Sequence, residues 1–251
     1  MNQRHRDIPV LRFESLDSTN EEAQRQLGAG AAAPLWIVAD EQTRGRGRSG
    51  RKWDSSKGNL YASLILETGV RAATATQLSF VAALAAHDAI AMHLASEKLP
   101  QLRLKWPNDV MLDGAKISGV LLESLTPPKG TGLCVILGIG INVSHAPEGL
   151  ERPIACLGLE PSATGEVFGS LAAALKTWLG FWDEGRGFPA VREAWLSRAH
   201  ALNEPMSVTL NGSAVRGKFR GVDAAGALQL ETEPGVVITV TAGDIYPDTL
   251  R

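Results

Sequence analysis

The chain has 251 residues, 44% of them hydrophobic, which is enough to bury the core of one large domain or of one domain with a small appendage. Its 27 acidic residues nearly cancel its 25 lysines and arginines, and the net charge of -2 supplies no overall field for nucleic acid or an anionic membrane. Its 2 cysteines form no CxxC pair and no Cys/His cluster, so neither a disulfide framework nor a zinc site is indicated.

The first 200 residues show the pattern of an α/β domain. Ser18-Thr19-Asn20 precedes Glu21 and Glu22, which predicts a capping box and a short helix to about Leu27. Five apolar runs predict strands, several of them buried on both faces: Leu35–Ala39, Leu60–Leu66, Leu102–Leu104, Ile117–Leu122 and Leu133–Ile141. Helical periodicity predicts helices between the second and third of these strands, from about Gly165 to Trp182, and from Pro189 onward.

From Met206 onward the pattern changes to short alternating runs. The predicted strands are Ser207–Leu210, Ala214–Arg220, Ala227–Leu230 and Val236–Thr241, and the turns between them are Asn211-Gly212, Ala225-Gly226 and Pro234-Gly235. We therefore expect a small β-barrel over residues 201–251, joined near residues 200–205 to an α/β domain over residues 1–200.

The most informative segment is QTRGRGRSGRKW at residues 42–53, hereafter the arginine loop. Five positive charges fall within residues 44–52, and three glycines expose the backbone between them. Such a loop can wrap an anion, and Trp53 offers a flat face for a ring. A solvated basic loop or a nucleic-acid contact is the competing interpretation. Gly45-x-Gly47-x-x-Gly50 also matches a dinucleotide fingerprint, but turn-like residues follow it instead of a helix, so we do not expect a Rossmann site.

Three further segments carry candidate groups, each with a structural alternative. KWPND at residues 105–109 predicts a turn at a strand end, where Asn108 could contact a nucleotide. AKISGVLLE at residues 115–123 places Lys116 at the entrance of an apolar strand, where most lysines merely reach solvent. GIGINV at residues 138–143 puts glycines in a buried strand, which indicates close approach of a ligand or simply of another backbone.

Together these segments resemble biotin–protein ligases, because STN, QTRGRGRSGRKW, GNLYASL, KWPND, KISGVLLE and GIGINV occur in the family's order over residues 18–143. The resemblance implies a class II synthetase-like α/β catalytic domain, with a mixed sheet and packed helices, followed by a small SH3-like β-barrel. It also implies the reaction: biotin and ATP give biotinyl-5'-AMP and pyrophosphate, and biotin then passes to a lysine of the biotin carboxyl carrier domain of acetyl-CoA carboxylase.

The resemblance also assigns the site. The biotin-binding residues would be Ser18, Thr19, Asn20, Gln42, Gly45, Arg46, Gly47, Arg48, Lys116, Gly119 and Gly140. The adenylate-binding residues would be Arg46, Arg48, Trp53, Asn108 and Asn142. Lys116 and Arg48 would be the catalytic cations, and Mg²⁺ would be held mainly by the ATP phosphates, without protein ligands. The roles of Lys105 and Asp109 are left open.

Some relatives carry a winged-helix DNA-binding domain ahead of the catalytic domain and act as repressors, but only 17 residues precede Ser18 here. We therefore expect no operator or other nucleic-acid binding. No secretory signal or bilayer-spanning run is visible, so a cytoplasmic protein that binds no membrane is expected, as a monomer or weak homodimer. The nearest rival is a lipoate or octanoate ligase or transferase, against which GRGRSGRKW and KWPND argue. A non-catalytic module that binds nucleic acid is the rival from another class.

Overall fold

The computed structural model describes residues 8–125, 132–147, 149, 152–210, 213–241 and, for the backbone alone, 244–247. Its larger sheet has seven strands in the order β1-β2-β3-β7-β6-β5-β4. The first strand pairs parallel with the second, and all the other pairs are antiparallel. The strands are β1 (Val10–Phe13), β2 (Leu35–Ala39), β3 (Leu60–Thr68), β4 (Leu102–Lys105), β5 (Asp109–Leu112), β6 (Ala115–Leu125) and β7 (Leu133–Ile141).

Helices cover both faces of this sheet. They are α1 (Thr19–Gly28), α2 (Ala72–Ala75), α3 (Leu78–Ala91), α4 (Thr164–Trp182) and α5 (Phe188–Ser197). Helix α3 is rich in alanine and buried along most of its length, so it packs closely on β4 to β7. Helix α4 packs on α3 and on β3, and α5 contacts both helices. On the opposite face α1 contacts β2, β3 and β7. The part of that face beside α1 is where the candidate site lies.

The second sheet contains five antiparallel strands in the order β11-β10-β9-β8-β12. Its strands are β8 (Pro205–Leu210), β9 (Ser213–Val222), β10 (Leu228–Glu233), β11 (Val236–Val240) and β12 (Asp244–Pro247). The fold class expected from the sequence, a mixed α/β sheet followed by a small β-unit of the SH3-like kind, is confirmed. The division into domains 1–200 and 201–251 stays a prediction, and the predicted turn Asn211-Gly212 lies outside the described residues.

The predicted helices and strands occur close to their expected limits, but the sequence missed β1, β5 and β12. The capping box was wrong. Ser18 has the extended backbone of an N-cap, yet its side chain caps nothing, and its N–H donates to the Asp17 carboxylate at 2.8 Å. The expected partner, Glu21, instead forms an ion pair of 2.6 Å with Arg46 of the arginine loop. Within the described residues no helix is both long and apolar enough to cross a membrane.

Candidate active site

The arginine loop is a distorted hairpin whose two sides are joined by backbone hydrogen bonds. The Trp53 N–H donates to the Gly45 carbonyl at 2.9 Å, and the Gly47 N–H donates to the Arg51 carbonyl at 2.7 Å. A Cβ on Gly45 would lie 2.6 Å from the Trp53 carbonyl oxygen, so a side chain does not fit there. At the tip Gly50 has φ of 70°, a left-handed value that favours glycine. Of the two predicted uses of glycine, close approach thus applies to Gly45 and positive φ to Gly50.

Ser18, Thr19 and Asn20 lie at the start of α1 and are 3%, 4% and 3% exposed. Gln42 joins them from the start of the arginine loop, because its Oε1 accepts from the Thr19 N–H at 2.8 Å and lies 3.1 Å from the Thr19 hydroxyl. The Gln42 amide also donates to Ser55 Oγ at 2.9 Å, at the far end of the loop. These buried polar groups form one cluster that joins the helix to the loop.

Asn20 connects this cluster to the sheet. Its Oδ1 accepts from the Ser63 hydroxyl at 2.6 Å, and its amide donates to Glu123 Oε2 at 2.7 Å. Glu123 Oε1 lies 2.9 Å from the Arg46 guanidinium, which also reaches Glu21 at 2.6 Å. Two carboxylates therefore hold the Arg46 side chain in this structure. The contacts of Arg46 with biotin and adenylate stay predictions.

Three glycines form a floor without side chains on the face of β6 and β7 beside α1. Gly119 and Gly140 are opposite each other in the strand pairing, and Gly138 lies two residues earlier in β7. A Cβ on Gly140 would lie 2.8 Å from Trp53 Nε1, and a Cβ on Gly138 would overlap the Asn20 amide oxygen. This glycine floor therefore lies between the polar cluster and the Trp53 ring.

Lys116 lies at the Trp53 end of the glycine floor. The residue is 8% exposed, and its Nζ is 2.5 Å from Asp109 Oδ1 and 5.0 Å from the centre of the Trp53 ring. A Cβ on Gly119 would lie 2.9 Å from the same ammonium. The structure thus brings together four of the predicted residues, namely Lys116, Trp53, Gly119 and Gly140. It places Asp109, whose role the sequence left open, beside them.

Burial is the largest influence on Lys116 and lowers the pKa of its ammonium. The Asp109 carboxylate opposes this effect and raises that pKa, while the positive charges of Arg152 and Arg51 lower it further. The net result is a pKa below the ordinary lysine value of 10.5. Asp109 is therefore the group that favours the protonated form of this buried lysine.

The two predicted nucleotide-binding asparagines both use their amide N–H groups on backbone carbonyls. Asn108 donates to the Val120 carbonyl, and Asn142, which is 2% exposed, donates to the Ala155 carbonyl at 2.9 Å. Ala155 in turn belongs to a segment that pairs with Lys116, through an Ala155 N–H to Lys116 carbonyl bond of 2.9 Å. The contacts of both asparagines with adenylate stay predictions, since their observed bonds hold the frame of the site.

Sequence reasoning missed three polar contributors, although two lie in motifs that it had singled out. Ser63 lies in GNLYASL and Glu123 ends KISGVLLE. Strand periodicity places Glu123 on the same face as Gly119, four residues earlier, which was the available signal. Ser55 has no motif and is found only through its hydrogen bonds to Gln42 and to the Trp53 carbonyl.

Lys105 and Arg48 are located by the elements that carry them. Lys105 ends β4 opposite Asp109 in the strand pairing, and Arg48 opens the single turn at the tip of the arginine loop. Among the described residues, no group of three or more His, Cys, Asp or Glu side chains is placed to hold a metal ion.

Comparisons with known proteins agree with this geometry. A sequence model of the Biotin/lipoate A/B protein ligase family matches residues 12–142, and one of the Biotin protein ligase C terminal domain matches residues 201–246. The biotin–[acetyl-CoA-carboxylase] ligase of Paracoccus denitrificans is 40% identical, with 92% of this chain and 97% of that protein covered. The enzyme of the same name from Mycobacterium tuberculosis is 31% identical, with 91% and 85% covered.

Among solved structures, the biotin protein ligase from Aquifex aeolicus in complex with biotin and ATP superposes with a TM-score of 0.79 at 26% identity, with 96% of this chain and 99% of that one covered. The matched region of the first family model contains the arginine loop, the polar cluster, the glycine floor and Lys116. The chain therefore belongs to the biotin/lipoate A/B protein ligase family.

Proposed function

We propose that the chain is a biotin–protein ligase that converts biotin and ATP into biotinyl-5'-AMP and pyrophosphate, and then transfers biotin to a lysine of the biotin carboxyl carrier domain of acetyl-CoA carboxylase. One observation carries the proposal. The glycine floor has a buried polar cluster at one end and the Lys116 ammonium at the other. This suits an acid with a polar ring at one end and a carboxylate at the other.

The polar cluster binds the ureido ring of biotin. That ring presents N–H donors and one carbonyl acceptor, and Thr19, Asn20 and Gln42 offer short side chains of matching chemistry. All three are held by hydrogen bonds to one another or to Ser63, so little side-chain freedom is lost on binding. The glycines let a flat group lie close to the sheet, as the Trp53 ring does at Gly140, and the fused rings of biotin use the same close approach when Trp53 moves aside.

In the first step a biotin carboxylate oxygen attacks the α-phosphorus of ATP, and pyrophosphate leaves. Both reactants are anionic, so they repel each other until fixed cations neutralise them. Lys116 supplies one such cation at the end of the floor, and Arg48 supplies another from the arginine loop. Mg²⁺ enters with ATP, held mainly by its phosphates.

In the second step the amine of the carrier lysine attacks the acyl carbon of biotinyl-AMP, and AMP leaves. The chain needs no nucleophile of its own for this transfer. The arginine loop covers the mixed anhydride and limits its hydrolysis by water. The adenine lies against Trp53, near Asn108 and Asn142, as the family resemblance implies.

The cellular setting follows from the chemistry of the chain. Cys134 and Cys156 are free thiols, which suits a reducing cytoplasm. The near-neutral net charge of -2 favours action without nucleic acid or membrane. We expect a monomer or weak homodimer.

The decisive experiment is to incubate the protein with biotin, MgATP and a carrier domain and to weigh the carrier by mass spectrometry. One biotinyl group should be added, and none when ATP is omitted or when the carrier lysine is replaced by arginine. Octanoate or lipoate in place of biotin tests the nearest rival, because its transfer would point to a lipoate-type enzyme. Salt-dependent nucleic-acid binding without biotin-dependent pyrophosphate exchange would point to a binding module.

A further inference from the structure

We infer that Glu123 is a positioning residue, which fixes the direction of the hydrogen bonds in the polar cluster and so sets the affinity for biotin. It acts through Asn20 on one side and through Arg46 on the other. This inference rests on the proposed function, since it concerns how the ureido ring is recognised. It extends that function to a carboxylate that none of the proposed steps uses.

Glu123 lies at one end of a continuous path of hydrogen bonds. From Glu123 Oε2 the path runs through Asn20 at 2.7 Å and Ser63 at 2.6 Å to the Thr19 hydroxyl at 2.7 Å. From Thr19 it continues through Gln42 to Ser55, and Ser55 donates to the Trp53 carbonyl at 3.0 Å. The other carboxylate oxygen contacts Arg46 at 2.9 Å. Both sides of the arginine loop are thus tied to the polar cluster.

The direction of every bond near Glu123 follows from donor and acceptor chemistry. An ionised carboxylate only accepts, so Asn20 must turn its amide nitrogen to Glu123 and its Oδ1 to Ser63. The single proton of Ser63 is then committed to Asn20, and Ser63 must accept the proton of the Thr19 hydroxyl. Thr19 Oγ1 is left with a lone pair that can accept an N–H of the ureido ring.

A carboxylate is required at residue 123 because both of its neighbours donate. Arg46 and the Asn20 amide each need an acceptor oxygen, and both are fixed at hydrogen-bond distance. Glutamine has the same shape but only one oxygen. In the first of its two arrangements the glutamine NH2 group faces the Arg46 guanidinium, and two donors meet. In the second arrangement the glutamine NH2 group faces Asn20, and Asn20 then turns its own NH2 group to Ser63. The second arrangement reverses the path, so Ser63 donates to Thr19 Oγ1 and takes up one of its two lone pairs. The Thr19 proton is then free to point at the ureido N–H, where an acceptor is needed.

A swapped pair of substitutions separates this role from a merely structural one. Glu123→Gln should raise the Kd for biotin about ten- to a hundredfold, because a hydrogen bond to a charged group is lost and the path can reverse. Asn20→Asp alone should weaken binding at least as much, since two carboxylates would face each other. In the double variant the new glutamine can donate to the new aspartate and accept from Arg46, so the aspartate again accepts from Ser63. The double variant should recover most of the lost affinity.

The measurements are the Kd for biotin by titration calorimetry and the KM for ATP by biotin-dependent pyrophosphate exchange, with the full chain throughout. The Kd for biotin should rise by a larger factor than the KM for ATP, which can change only through Arg46, a predicted adenylate contact. The Kd for desthiobiotin, which keeps the ureido ring, should rise by the same factor as the Kd for biotin. Glu22→Gln is the matched control, because Glu22 lies on the same helix as Asn20 but pairs with Arg25, and its Kd should stay within about twofold of wild type.

Three results would overturn the inference: an unchanged biotin Kd in Glu123→Gln, losses that simply add in the double variant, or an equal rise in the KM for ATP. Failure of the proposed function has a different signature. In that case the wild-type protein itself would bind no biotin and catalyse no biotin-dependent exchange.

Discussion

The Lys116 ammonium lies 2.5 Å from the Asp109 carboxylate because a bulge in β6 turns the lysine towards the glycine floor. Val110 pairs with Ser118 and Met111 with Lys116, so Ile117 is the extra residue of the bulge. Regular alternation would place residues 116 and 119 on opposite faces, and the bulge brings them together. Asp109 is the direct cross-strand partner of Gly119 and reaches the same place.

This geometry predicts that Lys116→Ala loses adenylation while the protein stays folded. A well-placed cation in a dry site contributes about 3 kcal/mol to the barrier, so biotin-dependent pyrophosphate exchange should slow by about a hundredfold or more. Lys98→Ala, at an exposed lysine in the short helical segment that precedes β4, is the control and should exchange at the wild-type rate. Near-wild-type exchange in Lys116→Ala would refute the assignment.

The pH dependence of exchange should report on the same pair. Lys116 must carry its proton to act as a cation, so activity should fall as pH rises through its pKa, which burial places below 10.5. Asp109 raises that pKa, so Asp109→Asn lowers it and should move the alkaline limb of the pH–rate profile to lower pH. Asp113→Asn, at an exposed turn after β5, should leave the limb where it is. A limb that shifts to higher pH, or not at all, would contradict this account.

The sequence located the motifs of the site but could not pair them. Strands β2 and β7 were predicted to the residue because long apolar runs mark strands that are buried on both faces. Strand β1 was missed because it is a largely exposed edge strand, and β5 because KWPND was interpreted only as a turn. No pattern in the sequence around residue 117 marks the bulge in β6. The contacts of Lys116 with Asp109, and of Asn20 with Ser63 and Glu123, depend on pairing between distant segments.

The arginine loop provides a prediction about retention of the intermediate. Arg48→Gly adds backbone freedom at the tip of the loop and removes a cation, so biotinyl-AMP should dissociate faster, by about tenfold or more. Its release can be followed by dilution of the preformed complex and chromatography of the free adenylate. Arg71→Gly is the control, because Arg71 is an exposed N-cap of α2, where glycine is well tolerated. An unchanged dissociation rate in Arg48→Gly would remove this role from the loop.

The glycine floor predicts opposite outcomes for two alanine substitutions. A methyl group at Gly138 would overlap the Asn20 amide, so Gly138→Ala should displace Asn20 and weaken biotin binding by about tenfold or more. A methyl group at Gly169, on the exposed face of α4, meets no atom within 4 Å. Gly169→Ala should therefore stabilise the protein by about 0.5 to 1 kcal/mol and leave the Kd for biotin unchanged. Denaturant unfolding and calorimetry check both, and equal biotin affinity in the two variants would argue against a ligand on this floor.

A contact between the two sheets should affect the nucleotide. The buried Trp106 indole, inside KWPND, donates to the Gly226 carbonyl at 3.0 Å, in the turn between β9 and β10. Trp106→Phe keeps a smaller aromatic ring but leaves that carbonyl without its donor, at a cost of about 1 to 3 kcal/mol in stability. Trp106 belongs to the KWPND segment, which also carries Asn108 and Asp109. We therefore expect the KM for ATP to rise and the Kd for biotin to stay the same. Trp178→Phe removes a similar indole hydrogen bond, to Asp88 at 2.8 Å. It should lower stability without changing the KM for ATP or the Kd for biotin. If both variants leave the KM for ATP unchanged, the small sheet supports the protein's stability but not its nucleotide site.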